Sequence, residues 1–148
     1  MSYEVGVWVK YSPSIVDRLK NTANEIVEET NSELRLRFSP TQFSIHNKRF
    51  RNSHKEKGWA KGHGFTAYVN IEKEIITFIA PFDSHNFENA KDTIKDLSKW
   101  IRKNFQKAKI IGADWSGTAG YAKYKYSKGK WLLEGYGDGV EEKTAKMD

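Results

Sequence analysis

Apolar positions recur along this chain in two rhythms. Between residues 3 and 11, Val5, Val7 and Val9 alternate with Gly6 and Trp8, the period-two pattern of a strand with a buried face. Ser12 then offers a capping hydroxyl and Pro13 a preset φ for a first helical position. Ile15, Val16, Leu19, Ala23, Ile26 and Val27 return at helical spacing, which predicts a helix ending near Asn31. Period two resumes at Leu34, Leu36 and Phe38, interleaved with Arg35 and Arg37. Pro40 interrupts it, because proline cannot donate to a ladder, and Phe43 and Ile45 carry the alternation on to His46. Phe65, Ala67, Val69 and Ile71 alternate again, and Glu72-Lys73-Glu74 makes a short connection. The run from Ile75 to Phe82 is apolar on both faces and reads as a central strand.

Asp83, Ser84 and Asn86 are cap candidates for a second helix, whose stripe is Phe87, Ala90, Ile94, Leu97, Ile101 and Phe105. Acids occupy its first half and bases its last, in keeping with the helix dipole. A strand over 110–115 follows, then a hairpin of 121–126 and 130–135 turning at Lys128-Gly129. These elements predict an α+β fold in two layers. A mostly antiparallel, twisted sheet of about six to seven strands carries two helices on one face. Residues 1–137 form a single domain, with 51–62 a mobile basic loop and 138–148 a loose charged tail.

Composition narrows the class. The 148 residues suffice for one core, and no apolar run approaches the ~18 residues of a membrane span. The N-terminus has no basic stretch followed by an apolar one, so no signal peptide is expected. Cysteine is absent, which excludes disulfides, thiolate zinc sites and cysteine nucleophiles and fits a cytoplasmic location. Lys plus Arg is 25 against 19 Asp plus Glu, a net charge of +6, and the excess is local. From His46 to Phe65 six basic residues (Lys48, Arg49, Arg51, Lys55, Lys57, Lys61) meet one acid, Glu56. From Lys107 to Trp131 six lysines meet Asp114 alone. Everywhere else the balance is 13 basic to 17 acidic, so two segments carry a field suited to an anionic partner.

In the first segment, Phe50 and Trp59 stand among the cations and could stack on bases. Gly58, Gly62 and Gly64 would let backbone amides approach a phosphate. An ordinary solvated loop explains the same run. In the second, strand parity puts Lys123 and Lys125 on one face with Tyr121, and Tyr124 and Tyr126 on the other; Lys128 and Lys130 follow. If the lysine face is open, it makes a cationic platform; an amphipathic hairpin with edge-protecting lysines is the plainer account. Trp8, Trp100 and Trp115 read as core or half-core.

The histidines His46, His54, His63 and His85 show no metal-ligand spacing, and neither metal nor cofactor is expected. Asp83, His85 and Asp114 could imitate a ligand set, but capping accounts for the first two. His63 and His46 among cations are the residue types of a metal-independent ribonuclease. Gly135-Tyr136-Gly137-Asp138-Gly139 opens no helix and reads as a turn rather than a dinucleotide loop.

The leading expectation is a small non-enzymatic binding protein with an anionic partner, nucleic acid first. Its site residues are Lys48, Arg49, Phe50, Arg51, Lys55, Lys57, Trp59, Lys61, Lys123, Lys125, Lys128 and Lys130. One alternative is a protein–protein inhibitor of immunity, antitoxin or mobile-element accessory type that docks on an acidic protein. The other is a phosphodiesterase or ribonuclease centred on His63 and His46.

Overall fold

The computed structural model describes residues 4–38, 65–81, 87–117 and 120–147. In chain order the elements are β1 (Glu4–Lys10), α1 (Pro13–Thr22), β2 (Glu25–Glu29), β3 (Glu33–Phe38), β4 (Phe65–Asn70) and β5 (Ile75–Pro81). There follow α2 (Phe87–Asn104), β6 (Ile110–Gly117), β7 (Gly120–Ser127), β8 (Lys130–Gly137) and α3 (Glu142–Ala145). The strands form one open sheet of eight in the order β2-β3-β4-β5-β1-β6-β7-β8, with every neighbouring pair antiparallel.

The alternation of the sequence sets the two faces. Val5, Val7 and Val9 are fully buried on one face with Leu36, Ala67, Val69, Ile76, Phe78, Ala113, Trp115, Ala122 and Tyr124. Helices supply the other wall of that core. Ile15 and Leu19 come from α1, and Ala90, Ile94, Leu97 and Ile101 come from α2, at the i, i+3, i+4 spacing of one helical stripe. At the centre Trp100 meets Phe65 edge-on at 4.6 Å, and Phe38 stacks on Phe65 at 4.7 Å.

The first helix stops earlier than its apolar spacing suggests. Ala23 turns extended (φ −60°, ψ 145°), and the Asn24 amide donates to the Arg37 carbonyl at 2.9 Å. Ile26 and Val27, expected on a helix ending near Asn31, lie instead on β2, the strand that brings the sheet to eight rather than six to seven. Both are β-branched and exposed, and tertiary pairing decides their state. Glu25 sits opposite Arg37, ion-paired at 3.1 Å, and Glu28 sits opposite Arg35. The Thr30 hydroxyl accepts from the Glu33 amide at 3.0 Å and closes the β2–β3 turn. At the helix start Pro13 occupies its expected position, but Ser12 makes no side-chain cap; its hydroxyl pairs with that of Ser14 at 3.0 Å.

The segment read as a loose tail from Asp138 carries α3, which brings the described helices to three rather than two. Val140 and Ala145 are buried, and the Tyr124 hydroxyl donates to the Ala145 carbonyl. The Lys91 ammonium reaches from α2 to the Thr144 and Lys146 carbonyls at 2.8 and 3.2 Å. Composition hid this attachment because one lysine and one tyrosine from distant elements make it. Among the described residues no helix is long and apolar enough to cross a membrane.

Candidate anion-binding surface

Strands β6 and β7 part at one end. Their ladder runs from Gly117 opposite Gly120 to Gly112 opposite Lys125 and stops there. β6 nevertheless stays on β1 as far as Ile110 opposite Val9, and the Lys10 amide donates to the Lys109 carbonyl at 2.9 Å. β7 stays on β8 as far as Ser127 opposite Lys130. The cause is local. Trp8 faces Gly112 and Val9 faces Ile110, so Ile111 is an extra residue in β6, and a bulge bends the strand that carries it.

The fork holds a cleft of about 600 Å³. Arg102, Lys109, Lys125 and Lys128 line it with the Tyr126 and Ser127 side of β7, and none of the described lining residues is acidic. Arg102 comes from the last turn of α2; its guanidinium donates to the Tyr126 hydroxyl at 3.3 Å and lies 5.8 Å from that ring's centroid. Tyr126 is itself held against Trp131, 4.5 Å between centroids. A concavity lined by one sign of charge concentrates counter-ions, so this shape favours an anionic group.

The face of the sheet opposite the helices adjoins the fork through Lys125. Among the described residues no helix lies over it. Register places Tyr68, Thr77, Trp8, Gly112 and Lys125 in one row across five strands. A neighbouring row reads Thr66, Ile79, Gly6, Asp114 and Lys123. Trp8 is half-buried, and the two glycines make room for its indole. A Cβ at Gly112 would stand 2.7 Å from its benzo edge, and one at Gly6 would stand 3.8 Å from Nε1. The Lys123 ammonium lies 5.5 Å from the Trp8 ring, and the Arg35 guanidinium 5.5 Å from the Tyr68 ring. Burial raises the Asp114 carboxyl above the usual carboxylate range, against the Gly6 backbone hydrogen bond and the Lys123 charge. The Tyr68 hydroxyl is also shifted up, chiefly by its hydrogen bond to Glu33.

Of the residues singled out from sequence, the structure brings Lys125 and Lys128 together at the fork. Lys123 lies with Trp8 on the face opposite the described helices, and exposed Tyr121 shares that face. Lys130 sits at the β7–β8 turn, outside the fork lining. Lys48, Arg49, Phe50, Arg51, Lys55, Lys57, Trp59, Lys61, His46 and His63 lie outside the described residues, as do His54, Asp83 and His85. Among the described residues no three His, Cys, Asp or Glu side chains are grouped to hold a metal.

Arg102, Lys109, Trp8, Tyr68 and Arg35 were not singled out. For Trp8 the signal was present, since its alternation with Val7 and Val9 assigns it to the face opposite theirs. For Arg102 there was none, because its place beside β7 depends on how α2 packs.

Fold and site together define an α+β protein with one open antiparallel sheet and a cationic cleft. No family model matches the chain, and neither the curated proteins nor the solved structures contain a match to it.

Proposed function

We propose that this is a non-enzymatic binding protein whose basic, aromatic-bearing surface holds nucleic acid. The observation that carries the reading is the fork, where four cations from α2, β7 and the segments beside them surround a cleft with no acidic residue among its described lining. Phosphates are the anions that suit it. Arg102 offers a planar fork of donors, and the three lysines offer mobile ammonium groups. The cleft volume, about 600 Å³, is of the size that encloses a small ligand or one nucleotide unit of a chain.

Fluorescence anisotropy with labelled single-stranded DNA, single-stranded RNA and duplex, titrated with salt, tests the reading. Each phosphate neutralised lowers the slope of log K against log salt by about 0.7 on a single strand. Four contacts predict a slope near −3, and Lys125→Ala with Lys128→Ala should bring it to about −1.5. Failure of every nucleic acid to bind at about 50 mM salt refutes the proposal.

A second reading, a module that covers an acidic protein, draws on the outer strand β8, where Leu132 and Tyr136 are 49% and 41% exposed. A stoichiometric protein partner, recovered after nuclease treatment and lost on Leu132→Lys, would favour it over the first.

A further inference from the structure

We propose that the face of the sheet opposite the described helices takes unpaired bases, with Trp8 and Tyr68 as stacking platforms, so that the nucleic acid bound is single-stranded. This rests on the nucleic-acid reading above and adds to it which form of nucleic acid is held and where the bases go.

Three observations carry it. The first is that two rings on this face already have a cation on them, Lys123 at Trp8 and Arg35 at Tyr68, both 5.5 Å from the centroids. A π-face that attracts an ammonium group also accepts a base, and the displaced cation is then one side chain's length from that nucleotide's phosphate. The second is the setting of Trp8. Its indole lies along the sheet between Gly6 and Gly112, two positions that hold no side chain against it. A tryptophan needed only for packing would be met from above by apolar side chains. This one is half-buried and met by the Lys123 ammonium.

The third is continuity and spacing. Tyr68 and Trp8 both pair with Thr77 in register, so they stand two strand separations apart, roughly 9.5 Å. That is about three rises of a stacked strand, so the two rings serve different nucleotides. From Trp8 the same row leads through Gly112 to Lys125 and into the fork. A strand crossing the sheet would thus stack bases on the face and lay its backbone towards the four cations. Of the acids on this face, Glu25, Glu28 and Glu33 lie at its far edge beside Arg37 and Arg35, and Asp114 and Glu4 lie in the rows on the other side of Trp8 from the fork, so the fork end of β7 stands away from these carboxylates. A duplex keeps its bases stacked on each other and offers the rings nothing.

Binding is measured with one sequence as single strand and as duplex. The single strand should bind at least about tenfold tighter. Trp8→Ala should weaken it about 5- to 150-fold with the salt slope unchanged, because stacking releases no counterions. Trp8→Phe should restore most of the affinity, while Lys123→Ala should make the negative slope shallower by about 0.7. Urea midpoints establish that each variant is folded. If Trp8→Ala does not fold, photo-cross-linking of the wild-type protein to a 5-iodouridine oligonucleotide decides the matter, with adducts expected at Trp8 or Tyr68. Equal affinity for duplex and single strand, or adducts confined to other residues, overturns the inference and leaves the nucleic-acid reading standing. Binding of neither form removes both.

Discussion

Lys91→Met tests how the C-terminal segment is held. The Lys91 ammonium donates to the Thr144 carbonyl at 2.8 Å and the Lys146 carbonyl at 3.2 Å, and lies 2.5 Å from a Glu88 carboxylate oxygen. Its side chain is 8% exposed, so methionine, close in length, fits the same space and the loss is mainly one of bonds. A hydrogen bond to a charged group contributes about 1.5–3 kcal/mol, so the two bonds together set an upper bound near 6 kcal/mol. Two effects reduce it. Both carbonyls belong to the end of a four-residue helix and regain water when it frays, and the wild-type ammonium carries a desolvation cost that methionine escapes. The net expectation is a loss of about 1–3 kcal/mol, or about 3–10 °C in Tm for a chain of this size. Urea unfolding followed by tryptophan fluorescence measures the total. Hydrogen exchange locates it at the Ala145 and Lys146 amides, which donate to the Glu141 and Glu142 carbonyls in the folded protein. An unfolding free energy within about 0.5 kcal/mol of wild type, with exchange at those amides unchanged, would refute the claim that Lys91 is the clasp.

Tyr124→Phe should cost about 1–3 kcal/mol in denaturant unfolding, since the lost hydroxyl accepts from Trp115 Nε1 at 2.8 Å and donates to the Ala145 carbonyl. Burial pushes the Tyr124 hydroxyl up to about 12, so wild-type stability should fall as pH rises from 10 towards that value, and the variant should lack this loss. Gly112→Ala should destabilise by about 1–3 kcal/mol, because its Cβ would stand 2.7 Å from the Trp8 ring and 2.8 Å from the Tyr124 carbonyl oxygen; thermal unfolding reads it. Asp114, whose carboxyl is raised by burial, keeps its proton in the folded state to higher pH than in the unfolded chain. Its contribution is therefore lost as pH rises from 3.8 through the raised folded value. Asp114→Asn retains an acceptor for the Gly6 amide and removes the titration. Its stability relative to wild type should grow across that window and stay level above it, as urea midpoints in a pH series would report.

Strand positions were legible where burial on one face imposed alternation. Val5, Val7 and Val9, Leu34, Leu36 and Phe38, and Phe65, Ala67 and Val69 all face the core as their period requires. The second helix was legible because its stripe and charge gradient agree. Ile26 and Val27 misled because two residues adjacent in sequence fit a helical stripe as well as a bulged edge strand, and β2 does have a register shift between Ile26 and Glu28. Pairing with β3 decides between the two, and that is a long-range fact. The candidate surface divides in the same way. The parity of Lys123 and Lys125 could be read from the hairpin alone, whereas the convergence of Arg102, Lys109, Lys125 and Lys128 required a helix end, a strand start and a hairpin to meet.

The fork has a local cause, the extra residue Ile111 in β6, and deletion of that residue separates shape from charge. Removing one of the adjacent isoleucines leaves an isoleucine opposite Val9 and every cation of the fork in the chain. Without the bulge, β6 would continue in register with β7 beyond Gly112 and Lys125, the cleft would close, and Lys109, Lys125 and Lys128 would spread along a regular ladder away from Arg102 on α2. A native strand pair gains hydrogen bonds in this change and loses no core side chain, so unfolding free energy should move by less than about 1.5 kcal/mol. Nucleic-acid affinity should fall, with a shallower salt slope, because scattered cations neutralise fewer phosphates together than a concave cluster does. Affinity and slope equal to wild type in a stably folded deletion variant would show that net positive charge alone suffices, and that the shape of the fork contributes nothing to binding.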